Sequence, residues 1–268
     1  MRIPELAGPY PVVMVLPAHD EETTVGDVVR RAPPEVHGHP VEVVVVDDGS
    51  TDGTAAVARA AGATVYSLDR NRGLGAAVRA GLAWAVDRRA VAIAFLDADG
   101  EYAPEELADL VGPIVDGRAD YVIGSRFAGL PRDMRPHRWF GNRVLTLGMK
   151  LLVRRWGVPG LSDGQSGYRA LSPAAAADAE IVHDYNYAQV LTLDLVAKGY
   201  RYAEVPITYR FRQHGRSFVR LRPYLRRVVP AIWHELRTAT AAGRGTPVAA
   251  AATDRPPVLV GDAPPAAR

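Results

Sequence analysis

The chain has 268 residues, 48% of them hydrophobic, enough to bury one large core or two small ones, and a formal charge of +2 that gives no footing for a nucleic-acid partner. Aromatic residues at 7% offer no stacking platform beyond the ordinary, so electrostatic recognition must be local. The absence of cysteine excludes a disulfide framework, a thiol nucleophile and thiolate-held zinc or iron–sulfur, and fits a reducing compartment.

Met1 to Leu6 has no long apolar region of the signal type, and no stretch reaches the ~18 uninterrupted apolar residues of a membrane span. A cytoplasmic protein is expected. Pro11 to Leu16 is a short apolar run stopped by Pro17, followed by helical spacing from Glu22 to Arg31. Val41 to Val46 is a β-branched run ending in Asp47-Asp48-Gly49-Ser50-Thr51-Asp52-Gly53-Thr54, and the Ala-rich segment from Thr54 to Ala61 reads as helix. Thr64 to Leu68 is a third strand, and Gly73-Leu74-Gly75 opens a helix reaching about Val86. Val91 to Leu96 makes the fourth strand, Pro104 starts another helix, and Tyr121 to Gly124 is a fifth strand. Arg132 to Trp156 is basic and aromatic, with helix expected from Asn142 onward. A loop from Gly160 to Tyr168, a helix near Tyr187 to Lys198 and a strand near Tyr202 to Tyr209 follow. From Thr238 the chain turns to Ala, Pro and Gly and reads as a disordered tail over 238–268.

Apolar strands alternating with helices predict an α/β sandwich with a mostly parallel central sheet, in which ligands bind beyond the carboxyl ends of the strands. The polar clusters lie at such ends. Among them Asp97-Ala98-Asp99 is the most telling, because residues i and i+2 of an extended segment point the same way. Two hard oxygen donors suit Mg²⁺ or Mn²⁺, which complete their shell with water and substrate phosphates. Asp-x-Asp also suits a turn or a helix cap. Asp47 to Gly53 likewise has turn composition, and Gly73-Leu74-Gly75 is too short to be a phosphate loop by itself.

Taken in register, Pro17-Ala18-His19-Asp20-Glu21-Glu22, Val45-Val46-Asp47-Asp48-Gly49-Ser50, Gly73-Leu74-Gly75, Asp97-Ala98-Asp99, Gly124-Ser125-Arg126, Ser166-Gly167-Tyr168-Arg169 and Glu204-Val205-Pro206-Ile207 resemble the family 2 inverting glycosyltransferases. Within that family the chain is most similar to polyprenyl-phosphate hexose synthases of the dolichyl-phosphate mannose or glucose type. The resemblance implies a GT-A type, Rossmann-like catalytic domain over residues 10–215, with a nucleotide-sugar half at 10–130 and an acceptor half at 131–215. It places Pro17, His19, Glu21, Val46, Asp48, Asp97 and Ala98 around the nucleotide sugar. His19 stands where the family usually has an aromatic residue. Asp48 is expected to accept a hydrogen bond from the base, and Asp97 and Asp99 to hold the metal, with Glu101 as third ligand where relatives often have Gln.

The same resemblance makes Arg126, Arg212 and Ser217 the candidates for acceptor or phosphate binding, a task for which planar guanidinium forks are well shaped. Asp99, Asp163 and Arg126 form the expected catalytic group. Asp163 is either a general base, needed only if the acceptor is a hydroxyl, or an anchor for its loop. Residues 216–237 combine Arg216, Arg220, Arg222, Arg226 and Arg227 with apolar residues, and read either as a basic amphipathic helix at the inner face of the membrane or as a helix packed on its own domain. Leu152-Val153-Arg154-Arg155-Trp156 lacks the Gln of the Gln-x-x-Arg-Trp signature of processive family members, so a single sugar transfer is expected.

The leading expectation is therefore a metal-dependent inverting transfer of one hexose from a UDP- or GDP-sugar to a polyprenyl phosphate. The alternatives are the same donor chemistry with a hydroxyl acceptor, and a non-catalytic nucleotide-sugar-binding partner. A dinucleotide-dependent dehydrogenase is disfavoured because no Gly-x-Gly-x-x-Gly follows the first strand.

Overall fold

The computed structural model describes residues 9–128, 136–153, 160–181 and 187–210, with the side chains of 136–141 and 152–153 outside that description. In chain order the elements are β1 (Val12–Ala18), α1 (Val25–Arg30), β2 (Glu35–Val36), β3 (His39–Asp47), α2 (Thr54–Ala60), β4 (Thr64–Ser67), α3 (Leu74–Asp87) and β5 (Ala92–Phe95). A short 3-10 turn (Pro104–Glu106) then leads into α4 (Leu107–Val115), β6 (Tyr121–Ser125), α5 (Pro136–Val153), β7 (Arg169–Leu171), α6 (Pro173–Asp178), α7 (Ala188–Ala197) and β8 (Tyr202–Pro206).

The strands form one sheet in the order β2-β3-β1-β5-β7-β6-β8, with β4 pairing β3. β1, β3, β4 and β5 pair in parallel, as do β6 and β8, whereas β7 runs antiparallel to both of its neighbours and β2 antiparallel to β3. Because β7 opposes both β5 and β6, those two point the same way, and the mostly parallel sheet expected from the apolar runs is present. β1, β5 and β6 are buried along their whole length, as strands covered on two faces must be.

Alternation along each strand feeds two cores. Val12, Met14 and Leu16 pack on one face with Val25, Val28, Ala58, Leu107, Leu110 and Val111 from α1, α2 and α4. Val13 and Val15 pack on the other with Val78 and Leu82 of α3, Ala175 of α6 and Leu191 of α7. Each fully buried Val or Leu contributes about 1.5–3 kcal/mol, so this two-faced burial dominates the stability.

Four expectations differ from the structure. Pro17 does not end β1, which continues through it to Ala18 in register with Asp47 of β3. α1 begins at Val25 rather than Glu22, because Thr24 and Val25 turn back onto the Glu21 carbonyl. α5 begins six residues before Asn142, at Pro136, where the missing N–H costs nothing in a first turn. β2, β7 and α6 are too short, at two, three and six residues, to leave a periodic signal. The segments at 216–237 and 238–268 lie outside the described residues.

Candidate active site

The carboxyl ends of β1, β3, β5 and β6 open on one rim, and the counter-running β7 adds a fifth segment to it. Arg169, the first residue of β7, pairs with Phe95 of β5 and Ile123 of β6, so the loop 160–168 that precedes it arrives at the same edge. A parallel strand would have delivered that loop to the opposite end of the sheet.

At the first corner of the rim, the loops after β1 and β3 are braced against each other. The Asp20 N–H donates to Ser50 Oγ at 3.0 Å while the Asp20 carboxylate accepts the Thr51 N–H at 2.8 Å. Glu21 N–H donates to Thr54 Oγ1 at 2.8 Å, and the Glu22 carboxylate accepts the Gly53 N–H at 2.8 Å. The Glu21 carboxylate accepts the Thr24 hydroxyl at 3.0 Å. His19 sits above this brace, its Nε2 3.6 Å from an Asp20 carboxylate oxygen and its Nδ1 buried with no hydrogen-bond partner. An orphaned ring nitrogen at a strand end is what a bound polar ligand would satisfy.

Asp48 is 4% exposed, and its two oxygens accept the N–H groups of Arg72 at 2.7 Å and Gly73 at 2.8 Å, just before α3. A carboxylate there is favoured by the helix dipole and ties the β3 loop to α3, leaving lone pairs on the same oxygens for a further donor. Pro17 and Val46 are buried in register beneath it, as the floor of this corner. The geometry depends on Gly49, whose φ is +66° and whose added Cβ would lie 2.4 Å from the backbone carbon of Arg70. Gly49→Ala is therefore expected to destabilise the fold by about 1–3 kcal/mol and to weaken nucleotide binding with it, measured by thermal melts with and without nucleotide.

The acidic pair is placed differently from the sequence expectation. β5 ends at Phe95, and Ala98 and Asp99 form a turn rather than a strand terminus, with the Asp99 carboxylate accepting the Glu101 N–H at 3.0 Å and Gly100 at φ +76°. Ala98 is buried under the turn, while Asp97 and Asp99 are half-buried. Gly167 keeps the space beside Asp97 open: a Cβ there would come within 3.0 Å of the Asp97 carboxylate and 3.3 Å of the Tyr102 hydroxyl. Glu101 turns to a different partner, accepting the Tyr209 hydroxyl at 2.8 Å. Among the described residues no group of three or more His, Asp or Glu side chains forms a metal cage. The donor set still fits Mg²⁺ or Mn²⁺, which are commonly held by one or two carboxylates together with substrate phosphates.

Arg126 and Asp163 were expected as separate actors, one gripping phosphate and the other serving as base or anchor. They are each other's partner. The Arg126 side chain reaches both Asp163 oxygens, Nε at 2.6 Å and Nη2 at 2.8 Å, and its backbone N–H adds a third bond at 3.1 Å. Asp163 is completely buried and also accepts the Gln165 N–H at 3.2 Å, bonds that tie it into its loop. Burial opposes the charge on Arg126, but the paired Asp163 carboxylate helps to offset it, and the guanidinium pKa stands above its ordinary value. Its guanidinium also lies over the Tyr209 ring at 5.3 Å, linking the acidic turn to the 160–168 loop.

Several supporting residues carried no role in the sequence reading. The Glu204 carboxylate on β8 accepts the Ser162 N–H at 2.8 Å and the Asp163 N–H at 3.3 Å, fixing the loop from behind; burial raises its pKa, with the Ser162 and Tyr202 hydroxyls pulling it back down. The Tyr102 hydroxyl accepts the Gly167 N–H at 2.7 Å, and burial raises its pKa far enough to keep it neutral. Arg169, fully buried, donates to the carbonyls of Ser166 at 2.8 Å and Gly164 at 3.1 Å on the loop and of Ala188 at 2.6 Å at the start of α7. Glu204 and Arg169 both stood in recognised motifs, but nothing in those motifs told which loop they would hold. Arg212 and Ser217 lie outside the described residues.

This fold is shared with glucosyl-3-phosphoglycerate synthase from Mycobacterium tuberculosis, solved in complex with Mn²⁺, UDP and phosphoglyceric acid; the two superpose with a TM-score of 0.67 over 84% of this chain and 78% of the other, at 25% identity. The same enzyme has been solved with Mg²⁺ and UDP, and superposes with a TM-score of 0.66. Fold and rim together define a glycosyltransferase of the GT-A-like α/β class. The chain belongs to glycosyl transferase family 2, whose family model matches residues 13–171. It is 34% identical over 220 residues to the polyprenol monophosphomannose synthase of Mycolicibacterium smegmatis, covering 76% of this chain and 79% of that protein. It is 32% identical over 227 residues to the undecaprenyl-phosphate mannosyltransferase of Micrococcus luteus, covering 77% and 86%. No helix among the described residues is long and apolar enough to cross a membrane.

Proposed function

We propose that the protein transfers a single hexose, with inversion, from a UDP- or GDP-sugar to a polyprenyl phosphate, in a metal-dependent reaction at the cytoplasmic face of the membrane. The observation that carries the acceptor is the buried pairing of Asp163 with Arg126. An alcohol must lose its proton as it attacks the anomeric carbon and needs a base within reach. A phosphate monoester is already an anion at neutral pH and needs none, so a site whose candidate base is locked on an arginine suits a phosphate acceptor. The names of the mannosyltransferase relatives agree with that choice.

On the donor side, the corner formed by Pro17, His19, Glu21, Val46 and Asp48 would hold the base and ribose, with His19 Nδ1 and the remaining Asp48 lone pairs as polar contacts. Asp97 and Asp99 would hold Mg²⁺ or Mn²⁺ against the diphosphate. The metal, when bound, would supply Lewis-acid stabilisation of the departing nucleoside diphosphate. Arg126 would act chiefly by holding the rim of the acceptor side in shape, with Arg212 and Ser217 as further phosphate contacts.

A second reading sends the hexose to the hydroxyl of a small acid, and the likeness to a synthase solved with phosphoglyceric acid favours it. Both are tested by offering the purified protein UDP- and GDP-hexoses with Mg²⁺ or Mn²⁺, together with a polyprenyl phosphate in detergent or a soluble hydroxy acid. Nucleotide release is expected only with the lipid phosphate. Release only with the hydroxy acid selects the second reading, and release with neither removes both.

A further inference from the structure

The segment that follows β8 is tied to the turn that carries the acidic pair. The Ile207 N–H donates to the Ser125 carbonyl at 3.1 Å, the Thr208 N–H to both Glu106 carboxylate oxygens at 3.0 and 2.9 Å, and the Arg210 N–H to the Glu101 carbonyl at 2.8 Å. Among these bonds Tyr209 forms an antiparallel bridge with Tyr102. Its ring is 5% exposed, set edge-on to Tyr102 at 5.8 Å and under the Arg126 guanidinium at 5.3 Å, and its hydroxyl donates to the Glu101 carboxylate at 2.8 Å. A ring packed in this way, on a backbone bonded before and after it, presents the hydroxyl at a fixed place.

Glu101 stands two residues past Asp99, whose carboxylate accepts the Glu101 N–H at 3.0 Å, so a third carboxylate belongs to the acidic turn. In an extended chain, residues 97, 99 and 101 would face one point; the turn at Gly100, with φ +76°, breaks that alternation. We propose that Tyr209 is a positioning residue for the metal site: by engaging Glu101 it keeps that carboxylate off the cation and leaves Asp97 and Asp99 as the acidic ligands. The charge count gives the reason. Two carboxylates balance a divalent cation, which then remains receptive to the negative oxygens of a donor diphosphate. A third carboxylate would tighten the hold on the metal and leave the site net negative towards the incoming phosphates. The inference rests on the metal-dependent reading of the site.

The test is Mn²⁺ binding without nucleotide, followed by the electron paramagnetic resonance of the free ion, beside calorimetric binding of UDP or GDP, whichever wild type takes, in saturating Mn²⁺. Tyr209→Phe keeps the ring and removes only the hydroxyl. It is expected to bind Mn²⁺ roughly tenfold more tightly than wild type, and the nucleotide several-fold more weakly. Opposite movements separate positioning from support, because a variant that merely loosened the turn would lose both affinities. In a Glu101→Gln background the same Tyr209→Phe change is expected to shift neither. The proposal is overturned by a Tyr209→Phe protein that binds Mn²⁺ no more tightly than wild type, by an equal gain in the Glu101→Gln background, or by loss of cooperative melting in Tyr209→Phe. The metal reading fails separately, if Mn²⁺ uptake is the same in wild type and Asp99→Ala. Uptake that is lost in Asp99→Ala and unchanged in Tyr209→Phe removes only the role of Tyr209.

Discussion

Asp99→Ala is expected to lower turnover by roughly a thousandfold while the melting temperature stays near that of wild type. The fall follows from the size of the effect a Lewis acid has on a leaving diphosphate, several kcal/mol, at about 1.4 kcal/mol per factor of ten. Stability is little touched because Asp99 stands in a half-buried turn rather than in either core, and the bond it accepts from the Glu101 N–H is of a kind that contributes about 1 kcal/mol. Steady-state kinetics on the variant, run beside a thermal melt, checks both halves. A variant that unfolds places Asp99 among the structural residues, and one that turns over normally removes it from the site.

The second large effect is on stability. Asp163→Ala leaves Arg126 buried with its charge unpaired, a change that costs about 3–5 kcal/mol and lowers the melting temperature by on the order of 10 °C. Removing both charges together, as Arg126→Met with Asp163→Leu, is expected to recover much of that loss, because a buried ion pair replaced by apolar side chains of similar volume is often neutral or better. Denaturant unfolding of the two single variants and the double variant gives the coupling directly. Full stability in Asp163→Ala with a collapse of turnover alone would reinstate Asp163 as a base and with it a hydroxyl acceptor.

The parts of the fold that could be read from the residues are those where a physical pattern is long enough to be unambiguous. Val12 to Leu16, Val44 to Val46 and Ile93 to Phe95 are buried on both faces, so they are apolar without interruption and announce a covered sheet. β7 could not be read that way. It is three residues long and starts with a buried arginine, and its direction is set by pairing with β5 and β6, which no local pattern records. Its reversal is what brings the 160–168 loop to the rim.

The site divides along the same line. Acidic and glycine-rich clusters after strands were legible because a strand end fixes where the next residues go. The geometry of Asp97 and Asp99 was not, since the same residues suit an extended end and the turn in which the Glu101 N–H donates to the Asp99 carboxylate. Arg126 and Asp163 were both identified, yet their pairing spans 37 residues of sequence and depends on Glu204, Tyr102 and Arg169 holding the loop in place. A contact between two loops brought together by a sheet leaves no spacing in either of them.

The account turns on a divalent cation held by Asp97 and Asp99 and shared with the donor's diphosphate. Calorimetric titration of UDP and GDP into the protein, with Mn²⁺ and then with chelator, tests this most directly. One of the two nucleotides should bind in Mn²⁺, lose most of its affinity in chelator, and show the same loss in Asp99→Ala with the metal present. Equal affinity in chelator and in Mn²⁺ would contradict it.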